Sequence, residues 1–247
     1  MSMTLPSRYL TRCLALVVFV TMNASAGETV VSEAAAMPAA TVKPGTWVVL
    51  GSSTAAGAGA PRNKGWVALV AAAFAPQGAQ LVNLAKSGSV TYQGLSSNGL
   101  RVGRRPRPDP KKNIDAALGH SPVMLILSYP TNDTALRYGV DETVNNLLAI
   151  RAQALAAGAA VIVTSTQPRK LSDGALADLR AIDDRLLASI GPCFVGVRDA
   201  LADADGRLAP MYDAGDGVHP GRAGHAIIAR HVIELIRSSR CVRLVKS

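Results

Sequence analysis

Three polar residues in two widely separated loops have the types and settings for nucleophilic acyl transfer. Near the C-terminal end runs Asp213-Ala214-Gly215-Asp216-Gly217-Val218-His219-Pro220. An aspartate three residues before a histidine, in a glycine-containing loop, can turn back to accept the imidazole Nδ1 proton. This fixes the tautomer and leaves Nε2 free to act as a base. A base of this kind needs a nucleophile whose proton it removes. Near the other end, Val48-Val49-Leu50-Gly51-Ser52-Ser53-Thr54-Ala55-Ala56-Gly57 carries two serines directly out of an apolar run into small residues. On spacing alone either Ser52 or Ser53 suits, and Asp213 is an alternative orienter to Asp216. Taken singly, the first loop is equally a small-residue turn. A phosphate-cradling loop fits less well, since no Gly-Lys-Ser/Thr follows and the glycine spacing misses the dinucleotide fingerprint. His120, His225 and His231 lack the Asp-x-x-His setting and are assigned no role.

Acyl transfer also needs hydrogen-bond donors aimed at the oxyanion of a tetrahedral intermediate. Asn83-Leu84-Ala85-Lys86-Ser87-Gly88 offers the Gly88 backbone amide, and Ser128-Tyr129-Pro130-Thr131-Asn132-Asp133 offers the Asn132 side chain. In isolation these are ordinary turn residues. Tyr129 and Arg169 are candidate substrate contacts, the latter in Gln167-Pro168-Arg169-Lys170. Trp66, Tyr92 and Tyr212 also lie near these segments in sequence.

The serine, Gly88 and Asn132 segments follow short apolar runs, the histidine segment stands just ahead of the final helical stretch, and longer stretches of helical period separate the runs. That alternation predicts a parallel sheet covered by helices, with function on loops at the carboxyl ends of the strands. The expected strands are 46–50, 80–84, 123–127, 160–165 and 193–197. The expected main helices are 141–157, 172–190 and 222–236, with shorter ones at 65–74 and 113–118. In 172–190, Leu176, Leu179, Ile182, Leu186 and Ile190 recur every three or four residues, the mark of one buried face.

Together and in this order, the four segments resemble the SGNH hydrolases, also called GDSL esterases and lipases, from about Trp47 to Ile236. The resemblance implies Ser53 as nucleophile, Asp216 and His219 as the rest of a triad, and Ser53, Gly88 and Asn132 as oxyanion-hole donors. It implies a three-layer α/β/α sandwich with a five-stranded parallel sheet in the flavodoxin-like order 2-1-3-4-5, and no metal or organic cofactor. Two positions depart from the family pattern. Ser52 stands where the namesake aspartate would be, and Pro130 stands where a glycine is usual.

The first residues combine Arg8 and Arg12, an apolar run from Cys13 to Val20 and small residues ending at Ala26. This is the plan of a cleavable secretory signal, residues 1–26, too short to span a bilayer as a mature helix. Residues 27–44 read as a loose leader and 45–247 as the catalytic domain of a periplasmic or secreted protein without stable membrane insertion. After cleavage Cys193 and Cys241 remain, an even pair that forms either a disulfide in an oxidising compartment or two separate buried thiols.

The formal charge is +9, or +7 without Arg8 and Arg12, and six cations lie between Arg101 and Lys112. No aromatics interleave them, which excludes a base-stacking nucleic-acid surface. A solvated loop with prolines at 106, 108 and 110 accounts for them as well as an anion-binding patch does. The expected substrate is a small-molecule, glycan or lipid ester with a short acyl group such as O-acetyl. The rival readings are a non-catalytic binding module or acyltransferase for acylated envelope glycans on the same fold, and a nucleotide-binding α/β domain.

Overall fold

The structure is a computed structural model and describes residues 42–99, 103–238 and 241. The signal and almost all of the leader lie outside the described residues, as does Arg101. All described residues belong to one compact unit, Pro38–Ser247.

Five strands build one sheet: β1 (Gly45–Gly51), β2 (Ala79–Asn83), β3 (Met124–Ser128), β4 (Ala160–Thr164) and β5 (Phe194–Val195). All are parallel, in the order β2-β1-β3-β4-β5. A strand covered on both faces needs a continuous apolar run rather than an alternating one. Met-Leu-Ile-Leu-Ser of β3 is accordingly buried at every position.

The helices among the described residues are α1 (Ser53–Ala56), α2 (Trp66–Phe74), α3 (Thr91–Gly94), α4 (Ile114–Leu118), α5 (Asn132–Ala135), α6 (Val140–Ala156), α7 (Asp173–Ile190), α8 (Arg198–Leu201) and α9 (Arg222–Arg237). One layer pairs α2 with α9, the other pairs α6 with α7, and the sheet lies between them. The predicted face of α7 is the buried one, with Leu176, Leu179, Ile182, Leu186 and Ile190 in the interior. Among the described residues no helix is long and apolar enough to cross a membrane.

Three expectations change. The leader is not loose to its end, because Val42 is 2% exposed and belongs to the core. The last strand is two residues long rather than 193–197. Pro192, which has no amide, opens a 3₁₀ turn at Gly191–Cys193, and Ser165 Oγ accepts from the amides of Val197 (2.8 Å) and Arg198 (3.3 Å) in place of a ladder. The basic stretch is not wholly solvated. Arg105 grips Glu142 through Nε (3.0 Å) and Nη2 (2.6 Å) and lies 3.8 Å over the Tyr138 ring, while Lys86 meets Asp109 at 2.9 Å.

Cys193 and Cys241 are joined as a disulfide, with Cα atoms 4.7 Å apart. It ties the turn ahead of β5 to the segment after α9 and closes a loop spanning 48 positions. Such cross-links stabilise chiefly by restricting the unfolded chain, by about 2–4 kcal/mol. The variant Cys193→Ala/Cys241→Ala should therefore unfold at lower denaturant concentration than the oxidised protein, by a free energy on that scale. An equilibrium urea titration of both proteins measures it, and coincident midpoints would show that the tie contributes nothing.

Candidate active site

The carboxyl ends of β1, β2 and β3 carry three of the four segments, and the histidine loop, between α8 and α9, meets the first of them. The chain leaves β1 through Ser52 directly into α1. Ser52 donates its amide to Ser128 O (3.0 Å) and is 2% exposed, whereas Ser53 is partly open to solvent. Of the two serines, Ser53 is the one whose Oγ reaches an imidazole, at 2.9 Å from His219 Nε2.

His219 Nδ1 lies 2.7 Å from Asp216 Oδ2. The other Asp216 oxygen accepts the amides of Val218 and His219, both at 2.8 Å. The His219 hydrogen bond, and then these amides, hold the Asp216 carboxyl down at about 2, ionised at any neutral pH. Nδ1 therefore carries the proton and Nε2 faces Ser53 as an acceptor. Asp213, the alternative orienter, is committed elsewhere: its carboxylate accepts the amides of Gly215, Asp216 and Gly217 and shapes the loop.

Two devices hold the histidine loop against the serine loop. Gly59, at φ +89°, comes so close to Pro220 that a Cβ there would lie 2.3 Å from its carbonyl oxygen, so the approach requires glycine. From the other side, Gln167 Nε2 donates to Val218 O (2.8 Å) and Lys170 N to Gly217 O (2.7 Å). His225 is fully buried and ties α9 to α2 and to the segment after α1, accepting from Trp66 N at Nδ1 (3.1 Å) and contacting Ala58 O through Nε2 (2.9 Å). Burial lowers its pKa, and this bonding pattern suits the neutral ring protonated at Nε2.

Gly88 sits at φ +79° in the turn closed by Ser89 N→Lys86 O (3.1 Å), and Lys86 N→Gly51 O (3.1 Å) fixes that turn beside the serine loop. Asn132 Nδ2 donates to Ser89 O at 2.9 Å, which leaves its second hydrogen available. A deeper tie joins the same two loops. Thr91 N and Oγ1 donate to the buried Asp133 carboxylate, and Asn146 donates to Thr91 Oγ1 at 3.0 Å. Sequence reading missed this clamp. The Asn132-Asp133 pair was visible, but nothing in the spacing signals Thr91 or Asn146 as its partners.

Of the two candidate substrate contacts, Arg169 joins the site, with Nη1 3.4 Å from Asn132 Oδ1. Tyr129 does not. It is 6% exposed, and its hydroxyl lies against Gly94 beneath α3, because the apolar ring one residue past β3 turns into the core rather than toward solvent. Trp66 and Tyr92 are buried as well, so they line no aromatic wall. A cavity of about 590 Å³ lined by Asp183, Arg198 and His231 includes neither Ser53 nor His219. Among the described residues no group of three His, Cys, Asp or Glu side chains is placed to hold a metal ion.

A five-stranded 2-1-3-4-5 sandwich with a serine, histidine and aspartate at its carboxyl edge defines the SGNH class of α/β hydrolases. The chain belongs to the GDSL-like lipase/acylhydrolase family, whose model matches residues 49–227. Among similar solved structures, TesA has TM-score 0.59 and 20% identity, over 78% of this chain and 98% of its own. The psychrotrophic esterase EstA from Pseudoalteromonas sp., solved with monoethylphosphonate as inhibitor, has TM-score 0.55 and 17% identity, over 78% and 97%. A carbohydrate acetylesterase family member from Sinorhizobium meliloti has TM-score 0.56 and 16% identity, over 78% and 98%. No curated protein shows significant sequence similarity to the chain.

Burial raises the Asp133 carboxyl to about 6, against the pull of Thr91. The folded state thus holds this proton more tightly than the unfolded chain does. The resulting stability is fully present below about pH 4 and is lost as pH rises through about 6. Asparagine does not titrate, so Asp133→Asn should compare least favourably with the wild type near pH 4 and most favourably near pH 7.5. Thermal melts across that range report the difference in Tm, and a gap independent of pH would contradict the assignment.

Proposed function

We propose that the protein is an exported serine ester hydrolase that acts on carboxylic esters of short acyl groups through an acyl-enzyme. The observation that carries this reading is the unbroken hydrogen-bonded series from Asp216 through His219 to Ser53 Oγ.

In the proposed reaction, His219 Nε2 takes the proton as Ser53 Oγ attacks the ester carbonyl carbon. The imidazolium that forms is stabilised by Asp216, already ionised at neutral pH. Charge developing on the carbonyl oxygen is met by the amides of Ser53 and Gly88 and by the free hydrogen of Asn132 Nδ2. His219 then returns the proton to the leaving alcohol, and the acyl group stays on Ser53. Water, deprotonated by the same imidazole, attacks the acyl-enzyme and restores Ser53. Fixed donors help because they need no reorientation as charge appears, and the ties through Ser89 and Asp133 supply that fixity.

Export is supported by the pattern of residues 1–26 and by the Cys193–Cys241 pair, which suits an oxidising compartment. Preference for short acyl groups is supported by the burial of Trp66, Tyr92 and Tyr129, which leaves none of these rings to line a groove for a long chain. The named activities of the esterase and acetylesterase neighbours agree with ester hydrolysis.

Hydrolysis of p-nitrophenyl acetate, butyrate and octanoate by residues 27–247 is the direct test, with acetate expected to give the highest kcat/KM. Ser53→Ala should lose the activity and should resist covalent labelling by an organophosphonate that modifies the wild type. A folded wild type no faster than Ser53→Ala on every ester would favour a binding module or acyltransferase. Asn132→Ala should keep the phosphonate-reactive serine while kcat falls by about 10²–10³, the usual consequence of losing one oxyanion donor. Stopped assays on both variants separate the two roles.

A further inference from the structure

The buried Arg198 has a carboxylate partner in Asp183, and the half-buried Arg105 and Arg207 have theirs in Glu142 and Asp173. Arg169 has none within 4 Å among the described residues. Its guanidinium reaches only neutral oxygens, Thr131 Oγ1 and Asn132 Oδ1, both at 3.4 Å from Nη1. Its Nε is fully buried with no hydrogen-bond partner. The one carboxylate whose field reaches it is Asp216, and both oxygens of that group are already engaged by His219 and two amides.

A partly desolvated guanidinium without a counter-ion is costly, and the cost here falls beside Asn132, the proposed oxyanion donor. The side chain springs from a fixed segment, because the residues on either side, Gln167 and Lys170, are both bonded to the histidine loop. Burial lowers the pKa of the guanidinium without making it neutral at physiological pH. The result is a permanent, positioned charge with an open fork of donors, in contact with the amide that faces the reacting carbonyl. A planar fork of this kind matches the two oxygens of a carboxylate or of a phosphoryl group.

We propose that Arg169 is a specificity-determining residue that selects esters bearing an anionic group a short distance from the scissile carbonyl. This rests on the ester hydrolase reading of the same site. The substrate's oxyanion group would replace the missing counter-ion and accept from the guanidinium, while Asn132 keeps its own hydrogen for the carbonyl oxygen. The anion is carried on either the acyl or the alcohol portion, and paired substrates separate the two.

For the acyl side, mono-p-nitrophenyl adipate, with a free carboxylate, is compared with its methyl-capped diester. For the alcohol side, 4-acetoxybenzoate is compared with methyl 4-acetoxybenzoate. Wild type, Arg169→Gln and Arg169→Lys are assayed at low salt and in 0.5 M NaCl. In one of the pairs the wild type should favour the anionic ester by about ten- to a hundredfold in kcat/KM, the scale of one charged hydrogen bond. Most of that preference should appear in KM. It should fall to about one in Arg169→Gln, persist in part in Arg169→Lys, and shrink with salt. Thermal melts of all three proteins serve as the control for folding, and the readout is the ratio of anionic to neutral ester within each protein. A wild type with no charge preference in either pair, or a preference equal in wild type and Arg169→Gln, overturns the inference and leaves the hydrolase reading intact. An equal loss on charged and neutral esters would make Arg169 only a support for Asn132, which also overturns it. A wild type inert on all four esters defeats the hydrolase reading and this inference together.

Discussion

The organisation of the molecule depends on one contact of 2.9 Å, between Ser53 Oγ and His219 Nε2. A hydrogen bond of that length tolerates errors of only a few tenths of an ångström, and its partners stand 166 positions apart in the chain. Neither loop can be allowed to drift. The sheet order places β1 inside the sheet, between β2 and β3, so the serine loop leaves a strand held along both edges. The histidine loop is clasped from two sides, by the close approach of Gly59 and by the bonds from Gln167 and Lys170. His225 adds a third anchor behind them, in the seam between α2 and α9.

Buried charge is distributed around this contact in two contrasting ways. Asp216 is half-exposed and surrounded by donors, so it stays ionised and can steady a cation beside it. Asp133 is buried, so its ionisation is disfavoured even though Thr91 donates to it twice. One carboxylate tunes the imidazole, and the other joins the Gly88 and Asn132 loops. Carboxylates that differ this much in environment serve different ends within one fold.

The sheet and the long helices were legible because they depend on simple periodicity. The β3 run Met124–Ser128 is apolar throughout, and α7 repeats its leucines and isoleucines every three or four residues. The serine, histidine and aspartate were legible because two short segments and a family register were enough to single them out. The four-residue helices α1, α3, α5 and α8 are too short to display a period. The truncated β5 follows from a single proline and from the Ser165 hydroxyl, which takes over amides a strand would have used. Tyr129 was misjudged because its distance from Asn132 in sequence is small while its ring faces the other way. The Thr91–Asp133–Asn146 clamp spans 42 and 55 positions, and separations of that size carry no local signature.

The 166 positions between Ser53 and His219 also set an order of events. Synthesis begins at the N-terminus, so the serine loop, β1 and much of the sheet exist well before the histidine loop and α9 have been made. Until then Ser53 is an ordinary alcohol with no base beside it. A chain that stalls or is clipped before residue 216 therefore lacks the imidazole and its carboxylate, however much of the sandwich it has formed. The Ser53–His219 contact is in this sense a certificate of completion, issued only when the two loops have met.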